Sequence, residues 1–254
     1  MDLAAARFSR RSLLRALAAA PFARVADKGA LPIVPRRVEK VFLAPGKMPN
    51  ALQAVPDGLW ILDQEDPNKV HKVRYEDGSV LHAIQTESVH GSGITAGDGA
   101  LWIASTYSLK TLKVDPVTGK TLASFETPGC GLVKWGKPTR PSGAHGLEWV
   151  AGKYWIAVPP SETLYLVEPT TGKVLRSIPA PGARPHGLAW DNGSLWCVES
   201  NDRAIYKMDP RDGKLLAKIQ LAPTDPEPHG MSMHRGVIWY CDAVSRWVCR
   251  LVSL

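Results

Sequence analysis

The sequence predicts an all-β fold: a five-bladed β-propeller of four-stranded antiparallel blades, with the last blade closed by the N-terminal strand. Three observations carry that expectation. A tryptophan phrase is repeated five times, turn chemistry brackets each repeat, and no helical periodicity follows the first 26 residues.

The phrase reads Leu59-Trp60-Ile61, Leu101-Trp102-Ile103, Tyr154-Trp155-Ile156, Leu195-Trp196-Cys197 and Ile238-Trp239-Tyr240. Successive tryptophans stand 41 to 43 residues apart, except for 53 between the second and third. Ahead of the phrases come Asp57-Gly58, Gly97-Asp98-Gly99, Gly152, Asn192-Gly193 and Arg235-Gly236, the residues of tight hairpins. A second hairpin follows, as in Asp115-Pro116-Val117-Thr118-Gly119-Lys120, where proline presets one turn position and glycine accepts positive φ at another. Each unit is therefore four short strands, and the repeated tryptophan belongs to the core between blades.

The final unit supplies only three strands, at 230–234, 237–242 and 246–252. A strand at 38–43, left over before the first unit, completes it as the outer strand. Closing the ring this way hides the exposed edges of an open sheet. The propeller domain then spans 38–254, preceded by a linker at 27–37.

Residues 1–26 read as an export signal. Ser9-Arg10-Arg11-Ser12-Leu13-Leu14-Arg15 and the small apolar run at 16–23 resemble a bacterial twin-arginine signal, which implies a periplasmic or extracellular protein. The alternative is an ordinary amphipathic N-terminal helix. No stretch reaches the roughly 18 to 20 apolar residues of a membrane helix, so stable membrane insertion is not expected.

Net charge is +7, but residues 1–26 hold five arginines against Asp2, leaving +3 on the remainder. That remainder has no basic run interleaved with aromatics, and nucleic acid is not an expected partner. A small-molecule substrate and a monomeric state are. Of the four cysteines, Cys241 and Cys249 flank a turn near Ser245 and form the best candidate disulfide; two buried free thiols are the equal alternative.

Ten residues before each repeated tryptophan stand Asn50, Ser92, His145, His186 and His229, at the start of successive innermost strands. Those strands begin at one mouth of the central channel, so the three imidazoles converge there. Three imidazoles from adjacent blades match the ligand count of a catalytic site with an open coordination position. In blade 2, His90 falls two residues earlier. Blades 1 and 2 carry Asn50 and Ser92, so blade construction alone does not demand histidine.

Three residues after the tryptophans come Asp63, Ser105, Val158, Glu199 and Asp242. Antiparallel pairing places Glu199 beside His186 and Asp242 beside His229. His145, His186, His229 and Asp242 are thus the candidate ligands of a divalent metal ion of unknown identity, with Glu199 and His186 as candidate catalytic residues. His71, His82 and His234 fall in outer strands or a turn, away from the mouth. The long spacing marks an insertion at 128–144 whose Trp135 and Arg140, with Lys134 and Lys137, are placed to cover an anionic or ring-bearing ligand. Asn50, Asp63 and His90 join Trp135 and Arg140 as candidate substrate contacts.

The Pro-His/Asn-Gly-Leu strand starts, as in Pro185-His186-Gly187-Leu188, and the following Gly-x-Leu-Trp phrases resemble two groups of propellers over residues 38–254. These are the senescence-marker/gluconolactonase and streptogramin B lyase families. The first resemblance implies a divalent metal held by Asn and acidic side chains for lactone opening, and Asn50 matches that Asn. The second implies a metal-assisted lyase that opens a cyclic depsipeptide ester by elimination, and Leu195-Trp196-Cys197-Val198-Glu199 is similar to its Leu-Trp-x-x-Glu phrase. Five blades depart from the six or seven of those families.

Two functions follow as expectations: an exported metal-dependent enzyme of lyase or lactone/ester hydrolase type, or a non-catalytic propeller that binds a ligand or protein. Gly-x-Ser-x-Gly, a phosphate-binding glycine loop and Cys-x-x-Cys are all missing from the sequence, which disfavours those classes.

Overall fold

The computed structural model describes residues 30–254, so the export signal read at 1–26 lies outside the described residues. Regular structure there is twenty strands and one 3-10 turn at Pro159–Ser161, and no helix is long and apolar enough to cross a membrane. Strand β1 is Arg37–Leu43. Blade 1 is β2 (Pro49–Val55), β3 (Gly58–Asp63), β4 (Lys69–Val73) and β5 (Val80–Gln85); blade 2 is β6 (Gly91–Gly97), β7 (Ala100–Ser105), β8 (Lys110–Val114) and β9 (Thr121–Glu126). Blade 3 is β10 (Gly146–Val150), β11 (Lys153–Val158), β12 (Thr163–Val167) and β13 (Val174–Pro179); blade 4 is β14 (Pro185–Asp191), β15 (Ser194–Glu199), β16 (Ala204–Met208) and β17 (Leu215–Gln220). Blade 5 is β18 (Met231–His234), β19 (Val237–Cys241) and β20 (Trp247–Val252), completed by β1 in the order β1-β20-β19-β18. The five-bladed ring closed by its N-terminal strand is the architecture read from the repeat.

The core lies between blades. Each repeated tryptophan is buried, and its hydrophobic cluster joins its own blade to the next, with Trp239 of blade 5 packed against blade 1. Burial of one such ring removes on the order of 150–250 Å² from water, so Trp→Ala at any of them is worth about 3–5 kcal/mol. A second repeat sits on the tryptophans. Lys72, Lys113 and Lys207 pair across the strands with Trp60, Trp102 and Trp196, hold their ammonium groups 5.5 Å from the ring centres, and ion-pair with Asp57, Asp98 and Asp191.

Within the stretch read as a linker, Ile33 bridges Lys218 in parallel, and Val34 N donates to the Lys218 carbonyl at 2.8 Å, on the outer edge of blade 4. Of the two alternatives for Cys241 and Cys249, the disulfide is corrected. Cys241 and Cys249 do not face each other. Cys241 pairs with Val248 and Cys249 with Tyr240, an offset of one residue that sends the two thiols to opposite faces of the sheet. Cys241 packs toward blade 1 and Cys249 toward blade 4, and all four cysteines are free.

Candidate functional site

The five residues ten positions ahead of the tryptophans all line one cavity of about 410 Å³ at the channel mouth. Local backbone geometry aims them there. Strand pairing slips by one residue between Pro49 and Ala51, between Gly91 and Gly93, and between Pro185 and Leu188, so Asn50, Ser92 and His186 fall at bulges. A bulge leaves one residue unpaired and redirects its side chain.

Gly93, Gly146, Gly187 and Gly230 follow the mouth residues in blades 2 to 5. A Cβ on Gly146 would collide with the His186 carbonyl, one on Gly187 with the Met231 amide, and one on Gly230 with Ala51. Neighbouring inner strands therefore touch backbone to backbone, and Gly187 N donates to the His229 carbonyl at 2.9 Å. The space below the imidazoles, bounded by these glycines, admits no water. The mouth is a blind cavity.

The three imidazoles stand in sequence around it. Ring centres are 4.7 Å apart for His145 and His186 and 5.0 Å for His186 and His229, with near-perpendicular planes. His145 Nδ1 is hydrogen-bonded to His186 Nε2 at 3.1 Å, and His145 Nε2 to Ser142 Oγ at 2.9 Å. His229 Nε2 lies 3.2 Å from Arg184 Nη2. A guanidinium only donates, so this nitrogen accepts and the His229 proton sits on Nδ1, 3.3 Å from the Glu227 carbonyl. Arg184 Nη1 meets Glu227 Oε1 at 3.0 Å.

Burial disfavours the charged form of all three imidazoles. Burial pushes His145 down to about 3, with the charges of His90 and Arg184 adding to it, and takes His186 well below its ordinary value. His229 is lowered by burial and Arg184, with Glu227 opposing.

The carboxylates are at the expected end of the blades but turn away from the cavity. Asp63 accepts from the amides of Lys47, Met48 and Glu65; Glu199 accepts from Arg184 N at 2.9 Å; Asp242 accepts from Glu227 N at 3.1 Å, Val244 N at 2.8 Å and Ser245 Oγ at 2.6 Å. Ser105 Oγ does the same for Val89 N. The segment entering each inner strand exposes amides that must find acceptors, and the end of the second strand supplies them. None of these carboxylates lines the cavity. The expectations of Glu199 as a catalytic group, Asp242 as a metal ligand and Asp63 as a substrate contact are replaced by loop clamping. The sequence carries a signal for this: Ala44-Pro45-Gly46 and Ala180-Pro181-Gly182 repeat, and a Cβ on either glycine would run into the Asp63 or Glu199 carboxylate.

The insertion roofs the mouth. Trp135 meets His145 edge-on at 6.1 Å, and the Arg184 guanidinium lies 5.9 Å from the Trp135 ring centre. His90, held at φ +56°, stacks on Tyr107 at 4.1 Å, and Arg140 sits 4.8 Å from the same ring centre. Lys137 also lines the cavity, whereas Lys134 is drawn aside to Glu162 at 3.0 Å. His71, His82 and His234 take no part in the lining. Sequence reasoning missed Arg184, Tyr107 and Ser142. Arg184 occupies the same register as His90, two residues ahead of the mouth position, which is the one signal that pointed to it.

The expected metal centre does not fit this arrangement. His145 and His186 spend a nitrogen each on one another, His229 Nε2 lies between Arg184 Nη2 at 3.2 Å and Glu227 Oε1 at 3.4 Å, Asp242 is committed to amides, and of these groups His186 Nδ1 alone is buried without a partner. Among the described residues no group of three or more His, Cys, Asp or Glu side chains is placed to hold a metal ion.

No protein-family model matches the chain, and no curated protein matches it. Solved structures do. The glutaminyl cyclase of Myxococcus xanthus aligns with a TM-score of 0.67 at 10% identity, over 85% of this chain and 96% of that one. A streptogramin B lyase aligns at 0.53 and 15% identity, over 85% and 97%. Virginiamycin B lyase from Staphylococcus aureus aligns at 0.50 and 18% identity, over 81% and 66%. What the chain shares with them is the propeller fold.

Proposed function

We propose that this chain is an exported, monomeric propeller enzyme of lyase or lactone/ester hydrolase type, acting on a small molecule at the histidine-lined mouth through neutral imidazoles. The observation that carries the reading is the hydrogen-bonded run from Ser142 through His145 to His186, set beside the His229–Arg184 pair in one blind cavity. The paired arginines at Arg10 and Arg11 support export.

Both reaction types break a C–O bond with a proton moving to or from an imidazole. A neutral ring does this; an imidazolium cannot accept. Burial keeps the rings neutral, and negative charge developing on the substrate raises their proton affinity at the moment of transfer. Arg184 is placed to stabilise the oxyanion or departing carboxylate. The lining carries no acidic side chain. It therefore suits an ester better than a cationic substrate.

The test is turnover of a panel of aryl esters and lactones, with His145→Gln and His186→Asn expected to lower kcat about 100-fold or more while KM moves little. Elemental analysis accompanies it: one divalent ion per chain, lost in His186→Ala, would restore the metal-dependent form. The second reading, a non-catalytic binding propeller, is favoured by Val244, which lines the cavity and is 83% exposed, and by Val89 and Leu132, exposed apolar residues next in sequence to the lining residues His90 and Val133. It expects no turnover, and loss of binding when 128–144 is shortened.

A further inference from the structure

The geometry points to Ser142 as a covalent nucleophile, in a Ser142–His145–His186 triad that opens esters or lactones by acyl transfer. This rests on the ester-opening reading above and chooses its hydrolase branch. A nucleophile needs a base within hydrogen-bond reach, and the base needs a third group that fixes its ring. Ser142 Oγ is 2.9 Å from His145 Nε2, and His145 Nδ1 is 3.1 Å from His186 Nε2. With the proton of His145 on Nδ1 and that of His186 on its partnerless Nδ1, Nε2 of His145 is free to take the hydroxyl proton.

The hydroxyl is held in place from both sides. Ser142 and Gly131 exchange two backbone hydrogen bonds, of 2.7 and 3.2 Å, across the neck of the insertion. Gly143 N donates to the Thr106 carbonyl at 2.9 Å, and Thr106 Oγ1 donates to the Ala144 carbonyl at 2.9 Å. Such a backbone fixes the direction of the Cα–Cβ bond. Ser142 is buried to 5% exposure and still lines the cavity, so it opens to the pocket and not to bulk solvent. A purely structural serine at a loop neck has no need to meet an imidazole whose other nitrogen is engaged by a second imidazole.

The step balances without a cofactor. Ser142 Oγ bonds to the carbonyl carbon while its proton passes to His145 Nε2. The tetrahedral intermediate, with Arg184 and Lys137 supplying positive charge from the same cavity, expels the alcohol oxygen, which takes that proton. Water then attacks the acyl-serine, gives a proton to His145, and releases the carboxylic acid as Ser142 Oγ leaves and is reprotonated.

The full chain is treated with a tagged fluorophosphonate, which phosphonylates activated serines, and its mass and peptides are measured. One adduct per chain on Ser142 is expected, with none on Ser142→Ala and labelling of His145→Gln slowed about 100-fold. Wild-type protein that takes no adduct, or takes it elsewhere, overturns the proposal without recourse to any variant. Ester turnover separates it from its premise: a Ser142→Ala protein that turns over like wild type, while His186→Asn does not, sinks the nucleophile and leaves the acid–base enzyme standing. Labelled Ser142 with no ester turned over sinks the panel of substrates and keeps the nucleophile.

Discussion

The Arg184 guanidinium donates to Nε2 of His229 at 3.2 Å, although the cation and the imidazole both belong to one buried, basic mouth. The contact is tolerable only because His229 is neutral and presents a lone pair. Arg184 is one cause of the lowered His229 pKa and Glu227 opposes it. Replacing Arg184 with Met removes the first and leaves Glu227, 3.4 Å from His229 Nε2, with Arg203 as its remaining cation at 3.6 Å. Nitrogen-detected NMR titration is expected to show an unprotonated Nε2 in the wild type and a His229 pKa that moves upward in Arg184→Met; a downward or absent shift would show that the guanidinium does not set this ring's state.

Stability is expected to fall in acid. His145 and His186 titrate near 6.5 once unfolded but well below it when folded, so the unfolded chain binds more protons as pH drops under about 6.5. The stabilisation is fully present above that value and is lost progressively toward the folded-state values. Each pKa unit of separation is worth about 1.4 kcal/mol. Thermal melts between pH 7.5 and 4.5 check this, and His186→Asn is expected to flatten the profile.

Glu148 gives the opposite sign. It sits on β10, accepts from Trp190 N at 3.1 Å across the gap between blades 3 and 4, and leaves Oε2 buried without a partner. Burial raises its pKa to about 8, so its carboxyl is protonated when folded at pH 7. Its stabilising state is complete below about 4.5 and is lost as pH rises toward 8. Glu148→Gln keeps the acceptor and removes the titration, and its Tm is expected to exceed that of the wild type by several degrees at pH 8 and to match it at pH 4.5. Equal melting temperatures at both values would refute the account.

The mouth is expected to prefer anions. Arg140 and Lys137 line it, no carboxylate within 4.0 Å offsets either one among the described residues, and no Asp or Glu joins the lining. Calorimetry with 2-hydroxybenzoate and with 2-hydroxybenzamide compares a ring-bearing anion with its neutral counterpart. The carboxylate is expected to bind at least about tenfold more tightly, and Arg140→Met to erase most of the difference, with salt weakening the wild-type interaction. Equal binding of the two compounds would assign the cations to solubility alone.

How much of this was legible beforehand differs by level. The tryptophan phrases determined the blades because a ring that buries one indole per interface must repeat it, and the odd strand at the start had one place to go. The shared register of His145, His186 and His229 likewise sufficed to bring them to one mouth, and the long spacing before Trp155 located the roof. Side-chain direction was a different matter. Strict alternation put Glu199 and Asp242 beside the histidines, whereas the entering loops had bare amides that claimed both carboxylates. The same limit applies to Cys241 and Cys249, separated by a register offset of one residue.

The sequence by itself therefore determined the architecture, since periodic burial is written in spacing, and it determined which residue types gather at the mouth. Only the tertiary structure decided which atoms meet there. The bulges under Asn50, Ser92 and His186, the backbone bridge that presents Ser142, and the placement of Arg184 against His229 depend on contacts between segments far apart in the chain, and no local pattern encodes them.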